Sequence, residues 1–104
     1  MSNEQPRKPE LRGIVLLLRQ SLPILERRYH VRRLGIFGSY VRGEQKSSSD
    51  LDILVEFLQP PSLIQFVTLE RELGELLGVR VDLVMKSALK PVIGRHILQE
   101  LIPV

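Results

Sequence analysis

The chain has 104 residues, with 15 lysines and arginines against 12 acidic side chains, a formal charge of +3, 43% hydrophobic content and 26% charged. That length suits one small core and leaves no room for a second, and the composition is that of an ordinary globular protein. Cysteine is absent, so disulfides, thiolate metal sites and a cysteine nucleophile are excluded and a cytoplasmic location is the expectation.

Residues 1–9 are polar and lack the apolar centre of a secretory signal, so a flexible tail is expected there, followed by a single domain over residues 10–104. From Leu11 the apolar positions 11, 14, 15, 18, 22, 25 and 29 recur at helical spacing. Pro23 leaves two arrangements open, one long helix or two stacked short ones with Ser21 as N-cap of the second. Arg27, Arg28, Arg32 and Arg33 make a basic cluster suited to a polyanion, although a solvated face is the simpler reading. With only 5% aromatic residues to stack bases on, a nucleic-acid-binding module is disfavoured.

Val31 to Phe37 reads as a strand ending at Gly38, and residues 38 to 43 as a turn or short helix. Glu44 to Ser49 is a serine-rich loop leading to a second strand, Leu51 to Phe57, stopped by Pro60-Pro61. Ser62 with Gln65 forms a capping-box pattern for a helix with apolar Leu63, Phe66, Val67, Leu69, Leu73, Leu76 and Leu77, closed by Gly78. Val79 to Met85 gives a third strand. Ser87 then caps a last helix, with Leu89, Val92, Ile93, His96, Ile97 and Leu101 turned inward. No stretch approaches the length of a membrane span. Strands alternating with helices predict an α/β (α+β) layer structure, a small mixed three-stranded sheet flanked by about four helices.

Three carboxylates fall on these strands. Asp50 and Asp52 alternate along an apolar run, which puts both on one face about 7 Å apart at Cα, with Leu51 and Ile53 on the other. Asp82 lies within Val81-Asp82-Leu83-Val84. Carboxylates flanked by apolar residues need a cation, hydrogen bonds or solvent, and converging ones suit a hard divalent ion such as Mg²⁺, which takes one or two carboxylates, waters and a substrate phosphate. The bland alternatives are a turn-forming role for Asp50 and Asp52 and a solvent-facing Asp82. Gly38-Ser39 lets backbone approach a phosphate, with the Ser39 hydroxyl as a further donor, and Arg42 one turn on matches phosphate geometry. Arg42 has an equally simple role pairing with Glu44.

Phe37-Gly38-Ser39-Tyr40-Val41-Arg42-Gly43, then Ser49-Asp50-Leu51-Asp52-Ile53-Leu54-Val55, then Val81-Asp82-Leu83-Val84 together resemble the polymerase-beta-type nucleotidyltransferase superfamily, and most of all its minimal nucleotidyltransferases, the MNT proteins. The resemblance runs from Val31 to the C-terminus. It implies that Asp50, Asp52 and Asp82 hold Mg²⁺, two ions being expected, and that Gly38 and Ser39, helped by Arg42, bind the triphosphate of ATP. The implied reaction is transfer of a nucleoside monophosphate to a hydroxyl, with pyrophosphate leaving. The minimal branch further implies an antitoxin role beside a HEPN-type ribonuclease toxin, in a hetero-oligomer, with the toxin as acceptor. The alternative is a non-catalytic antitoxin that neutralises its toxin by binding alone. The tyrosine found at the extreme C-terminus of related minimal sequences is replaced here by Ile102-Pro103-Val104.

Overall fold

The apolar period that opens the chain becomes one unbroken 19-residue helix, α1 (Leu11–Tyr29), in a computed structural model that describes residues 10–104. The expected tail over residues 1–9 lies outside the described residues. Pro23 sits within α1 on the exposed side, where water can satisfy the carbonyl its missing N–H leaves behind. Ser21 is not an N-cap. Its hydroxyl donates back to the Leu17 carbonyl at 2.9 Å, one turn earlier in the same helix. Arg27 and Arg28 fall in the last turn, where positive charge complements the helix dipole. His30, in the left-handed region at φ 58°, ends the helix and turns the chain directly into a strand.

Strand β1 (Val31–Phe37) pairs antiparallel with β2 (Leu51–Phe57), and β2 pairs parallel with β3 (Val81–Met85). The register slips between Val31 and Arg33, a bulge that leaves both Arg32 and Arg33 facing solvent. The sheet has four strands in the order β3-β2-β1-β4, one more than the sequence suggests. The fourth, β4 (Ile102–Pro103), pairs antiparallel with Gly35 and Ile36, and the Val104 N–H donates to the Leu34 carbonyl at 3.0 Å. Two residues with a proline give no recognisable strand pattern, yet on a sheet edge the missing N–H costs nothing. Helix α2 (Ser39–Arg42) joins β1 to the loop before β2.

Helix α3 (Leu63–Leu77) makes the parallel crossover from β2 to β3, opened by the full Ser62–Gln65 capping box and closed by Gly78. It packs beside α1 on one face of the sheet. Leu69, Leu73 and Leu77 of α3, with Ile14, Leu18 and Leu25 of α1, cover Ile36, Leu51, Ile53 and Val55, and all are buried. Tyr29 and Glu72 pin the two helices together through a 2.7 Å hydrogen bond, reinforced by Arg28. Leu63, Ile64 and Val67, at the start of α3, remain exposed.

The last helix, α4 (Pro91–Glu100), starts later than expected. Ser87 lies instead in a short 3-10 turn, Lys86–Ala88, and Lys90 is the N-cap residue. Pro91 explains the shift: it suits the first turn of a helix, and it forces Lys90 into extended backbone. The expected inward face is also rotated, since Val92, Ile93 and His96 are exposed while Gly94 is buried. Leu101 falls outside the helix and lies over Gly35, where an added Cβ would meet its Cδ1 at 2.6 Å. No described helix is long and apolar enough to cross a membrane.

Candidate active site

Alternation along the strands leaves a second sheet face, away from α1 and α3, that carries the acidic side chains. Asp52 is paired in register with Asp82 on β3 and with Phe37 on β1. The next residue after Phe37 is Gly38, so the strand-to-helix bend arrives beside the Asp52 carboxylate. Gly38 has φ 83°, and an added Cβ would collide with Asp52 Oδ2, so two independent constraints demand glycine there. The bend therefore touches the carboxylate centre.

Asp52 and Asp82 are register partners on adjacent parallel strands, so the two side chains leave the sheet on the same face. Burial first, then the neighbouring Asp82, then the charge of Asp50, push Asp52 up to about 6, with Arg42 opposing. A second carboxylate beside Asp52 favours its protonated form, because like charges oppose ionisation. The oxygen-only donors and the uncompensated charge fit a divalent ion such as Mg²⁺, which binds through one or two carboxylates and keeps several waters.

Asp50 stands at the entrance to β2 and is about half exposed. Its Oδ1 pairs with Arg80 Nε at 3.1 Å, and Arg80 also donates to the Ser48 carbonyl at 3.0 Å, so one arginine holds both the carboxylate and the loop before it. Asp50 still lies close enough to raise both Asp52 and the buried Tyr40, whose own rise comes first from burial. Among the described residues no three acidic or histidine side chains close on one point as a ligand set. The structure thus pairs Asp52 with Asp82 in register and sets Asp50 within electrostatic range of Asp52, held by Arg80.

Ser39 begins α2, and Val41 and Arg42 donate to the Gly38 carbonyl at 3.0 and 3.2 Å, tightening the turn. Arg42 does pair with Glu44, Nε to Oε1 at 2.8 Å, but it also reaches Glu100 at the end of α4, NH1 to Oε1 at 3.0 Å. Glu100 Oε2 accepts the Gly38 N–H at 2.8 Å. That backbone hydrogen bond, followed by Arg42, holds the Glu100 carboxyl below the usual range. Sequence reasoning missed both Glu100 and Arg80. A signal existed for Glu100: an acidic residue closing a helix opposes the dipole and needs compensation from elsewhere. Glu70 was missed too; it accepts the Leu83 N–H at 2.9 Å and so caps the outer edge of β3.

The model of the nucleotidyltransferase domain family matches residues 18–104. This chain belongs to the nucleotidyltransferase family. The protein adenylyltransferase MntA of Thermococcus cleftensis is 56% identical over 78 residues, which span 75% of this chain and 79% of that protein. Among solved structures, one provisionally described as a minimal nucleotidyltransferase superposes with a TM-score of 0.80 at 34% identity, covering 95% of this chain and all of the other. A second, a toxin–antitoxin crystal structure with AMP-PNP, gives 0.65 at 28% identity, covering 86% of this chain and 68% of that one. As a nucleotidyltransferase the chain has the mixed sheet and helices of that fold, with the fourth strand added by its C-terminus.

Proposed function

We propose that this nucleotidyltransferase moves AMP from ATP to a hydroxyl of a HEPN-type ribonuclease toxin and thereby serves as its antitoxin. The approach of the Gly38 bend to the Asp52 carboxylate, whose register partner is Asp82, carries the proposal, because a phosphate at the bend and a cation at the carboxylates would then be neighbours. The similarity to a protein named as an adenylyltransferase, and to a toxin–antitoxin structure with AMP-PNP, supports the same nucleotide and partner. Cytoplasmic ATP and Mg²⁺ complete the proposal, with residues 10–104 acting as one catalytic domain.

In this scheme Gly38 and Ser39 seat the triphosphate and Arg42 balances its charge. Asp52 and Asp82 would hold Mg²⁺, with Asp50 nearby and paired to Arg80; when bound, the ion would neutralise the phosphates and ease departure of pyrophosphate. The acceptor oxygen bonds to the α-phosphorus while the bond to the pyrophosphate oxygen breaks. The acceptor proton would pass to Asp82, the carboxylate beside Asp52 that is exposed to an incoming acceptor. Catalysis comes from alignment and charge stabilisation rather than from a covalent enzyme intermediate. Exposed Leu63, Ile64 and Val67 give a protein partner an apolar patch to cover.

That patch is also the observation that favours the second reading, silencing by binding alone. The test is to incubate the chain with ATP, Mg²⁺ and its HEPN partner and weigh the partner by mass spectrometry. A gain of one or more AMP groups, lost at least about 1,000-fold in rate with Asp52→Ala, is the expected result. Silencing with no mass change would replace the enzyme by the binding module.

A further inference from the structure

Glu100 occupies a position with few local reasons to be acidic. It closes α4, where the helix dipole disfavours negative charge, yet it is only about one-quarter exposed. What holds it there is the segment that follows. Leu101 lies over Gly35, Ile102–Pro103 pairs with β1, and the Val104 N–H bonds to the Leu34 carbonyl, so the chain end is fixed on the strand that runs into Gly38. The Glu100 carboxylate is thereby delivered to the two ends of α2. Oε2 accepts the Gly38 N–H, and Arg42 Nη1 donates to both oxygens, at 3.0 Å to Oε1 and 3.2 Å to Oε2.

Arg42 is gripped from two sides, by Glu44 at Nε and Glu100 at NH1. Its NH2 group, like the Ser39 hydroxyl, makes no hydrogen bond among the described residues. Arg42 also acts electrostatically on Asp52, so its charge lies within range of the carboxylate pair. The donors that Glu100 consumes are the ones at the two ends of the turn. Those it leaves open are the ones available to an incoming anion.

We infer that Glu100 is a positioning residue of the phosphate seat, bracing the Gly38 peptide and the Arg42 guanidinium before the nucleotide arrives. The inference rests on the adenylyl-transfer reading and deepens it. A pre-oriented guanidinium needs no further ordering when it meets phosphate, which lowers the entropic cost of binding. The negative charge opposes the triphosphate at long range, so positioning has to outweigh that repulsion. This makes the sign of the mutational effect diagnostic.

The experiment compares wild type with Glu100→Ala and Glu100→Gln, measuring AMP-PNP affinity with Mg²⁺ by calorimetry, melting temperature, and kcat and KM for transfer to the HEPN partner. Glu100→Ala is expected to weaken nucleotide binding about 10-fold, which corresponds to about 1.4 kcal/mol. Glu100→Gln keeps an acceptor for the Gly38 N–H and avoids a cavity if the alanine variant fails to fold; its affinity is expected to fall about 3-fold, between the other two. In an Arg42→Ala background the same Glu100 change is expected to lose most of its effect on affinity, because the residue acts largely through Arg42. Tighter nucleotide binding by Glu100→Gln would overturn the inference and make the carboxylate a competitor for the seat. A lower melting temperature with unchanged affinity would overturn it in favour of a purely structural tie. If wild type binds and transfers nucleotide while the variants keep full affinity, only the role of Glu100 falls; if wild type binds no nucleoside triphosphate, the adenylyl-transfer reading falls and the role of Glu100 with it.

Discussion

The two faces of a single sheet are built for different tasks. Along β2, Leu51, Ile53 and Val55 point into the layer formed by α1 and α3 and are inaccessible, while Asp52, Leu54 and Glu56, one residue out of step, point the other way. The closed face supplies burial alone; the open face is mixed, with Leu54 buried between the partly exposed Asp52 and Glu56. Because the side-chain period is two, slipping the strand by one residue would bury the carboxylate and expose the core, so each face enforces the register of the other. Stability and chemistry are therefore separable by substitution, although they alternate along the same seven residues.

The strongest way to strain that separation is to damage the closed face alone. Ile53 is fully buried at the centre of the cluster, and Ile53→Ala is expected to cost about 3–4 kcal/mol of stability through lost transfer energy and the cavity left behind. Urea denaturation checks this, with nucleotide affinity measured on the folded fraction. A loss below about 1 kcal/mol would mean that the core is not organised around this strand. A large change in nucleotide affinity without unfolding would mean that the two faces are not independent.

A smaller effect is expected where the faces meet the bend. Gly38 and Gly43 both have positive φ, 83° and 71°, but only Gly38 has a neighbour in the way of a Cβ; around Gly43 nothing lies within 4 Å. Gly43→Ala is expected to cost about 1 kcal/mol for its backbone conformation alone. Gly38→Ala adds the collision with Asp52 and is expected to cost about 2–3 kcal/mol and to lower transfer at least about 10-fold. Equal penalties in both variants would show that the approach of the bend to the carboxylate is not a constraint.

The sequence exposes what is local and hides what is closed by distant chain. The strands bearing Asp52 and Asp82, the Gly38 bend and the Ser62–Gln65 cap were all legible, because alternation, a glycine between two elements and a four-residue motif are signals carried by neighbours. The continuity of α1 is not legible because Pro23 is a poor helix residue whose cost depends on which side faces water, and only tertiary packing sets that side. The start of α4 misled for an opposite reason: Ser87 is a good cap, but Pro91 four residues later overrides it. Strand β4 has no period in two residues, and although an acidic helix end signals that Glu100 needs a partner, nothing local says that the partner is Gly38, 62 residues away. Of the three aspartates, the pairing of Asp52 with Asp82 follows from parallel register, whereas the capture of Asp50 by Arg80 depends on a loop whose path no pattern specifies.

The gentlest perturbation concerns the protonation of the open face. Folding raises Asp52 from the ordinary carboxylate range to about 6, chiefly by burial and the neighbouring Asp82. Its protonated form is thus favoured in the folded protein. The stabilising contribution is complete below about pH 4, where the unfolded chain is protonated as well. It fades as the pH rises toward 6, and above that both states bind no proton and the folded one carries the repulsion. Measured in chelator, stability is expected to fall between pH 4 and 6 through this group. Asp52→Asn removes the titration, flattens that segment of the profile and gains about 1–2 kcal/mol at pH 7, a figure reduced for the partial exposure of the side chain. Urea denaturation at pH 4, 5, 6 and 7 decides the matter. If the asparagine variant follows the wild-type slope, the carboxylate pair is not strained, and the case that this face awaits a cation loses its electrostatic basis. If the slope disappears and Mg²⁺ at pH 7 raises the melting temperature of wild type but not of the variant, the same repulsion that weakens this face in chelator is what draws the ion to it.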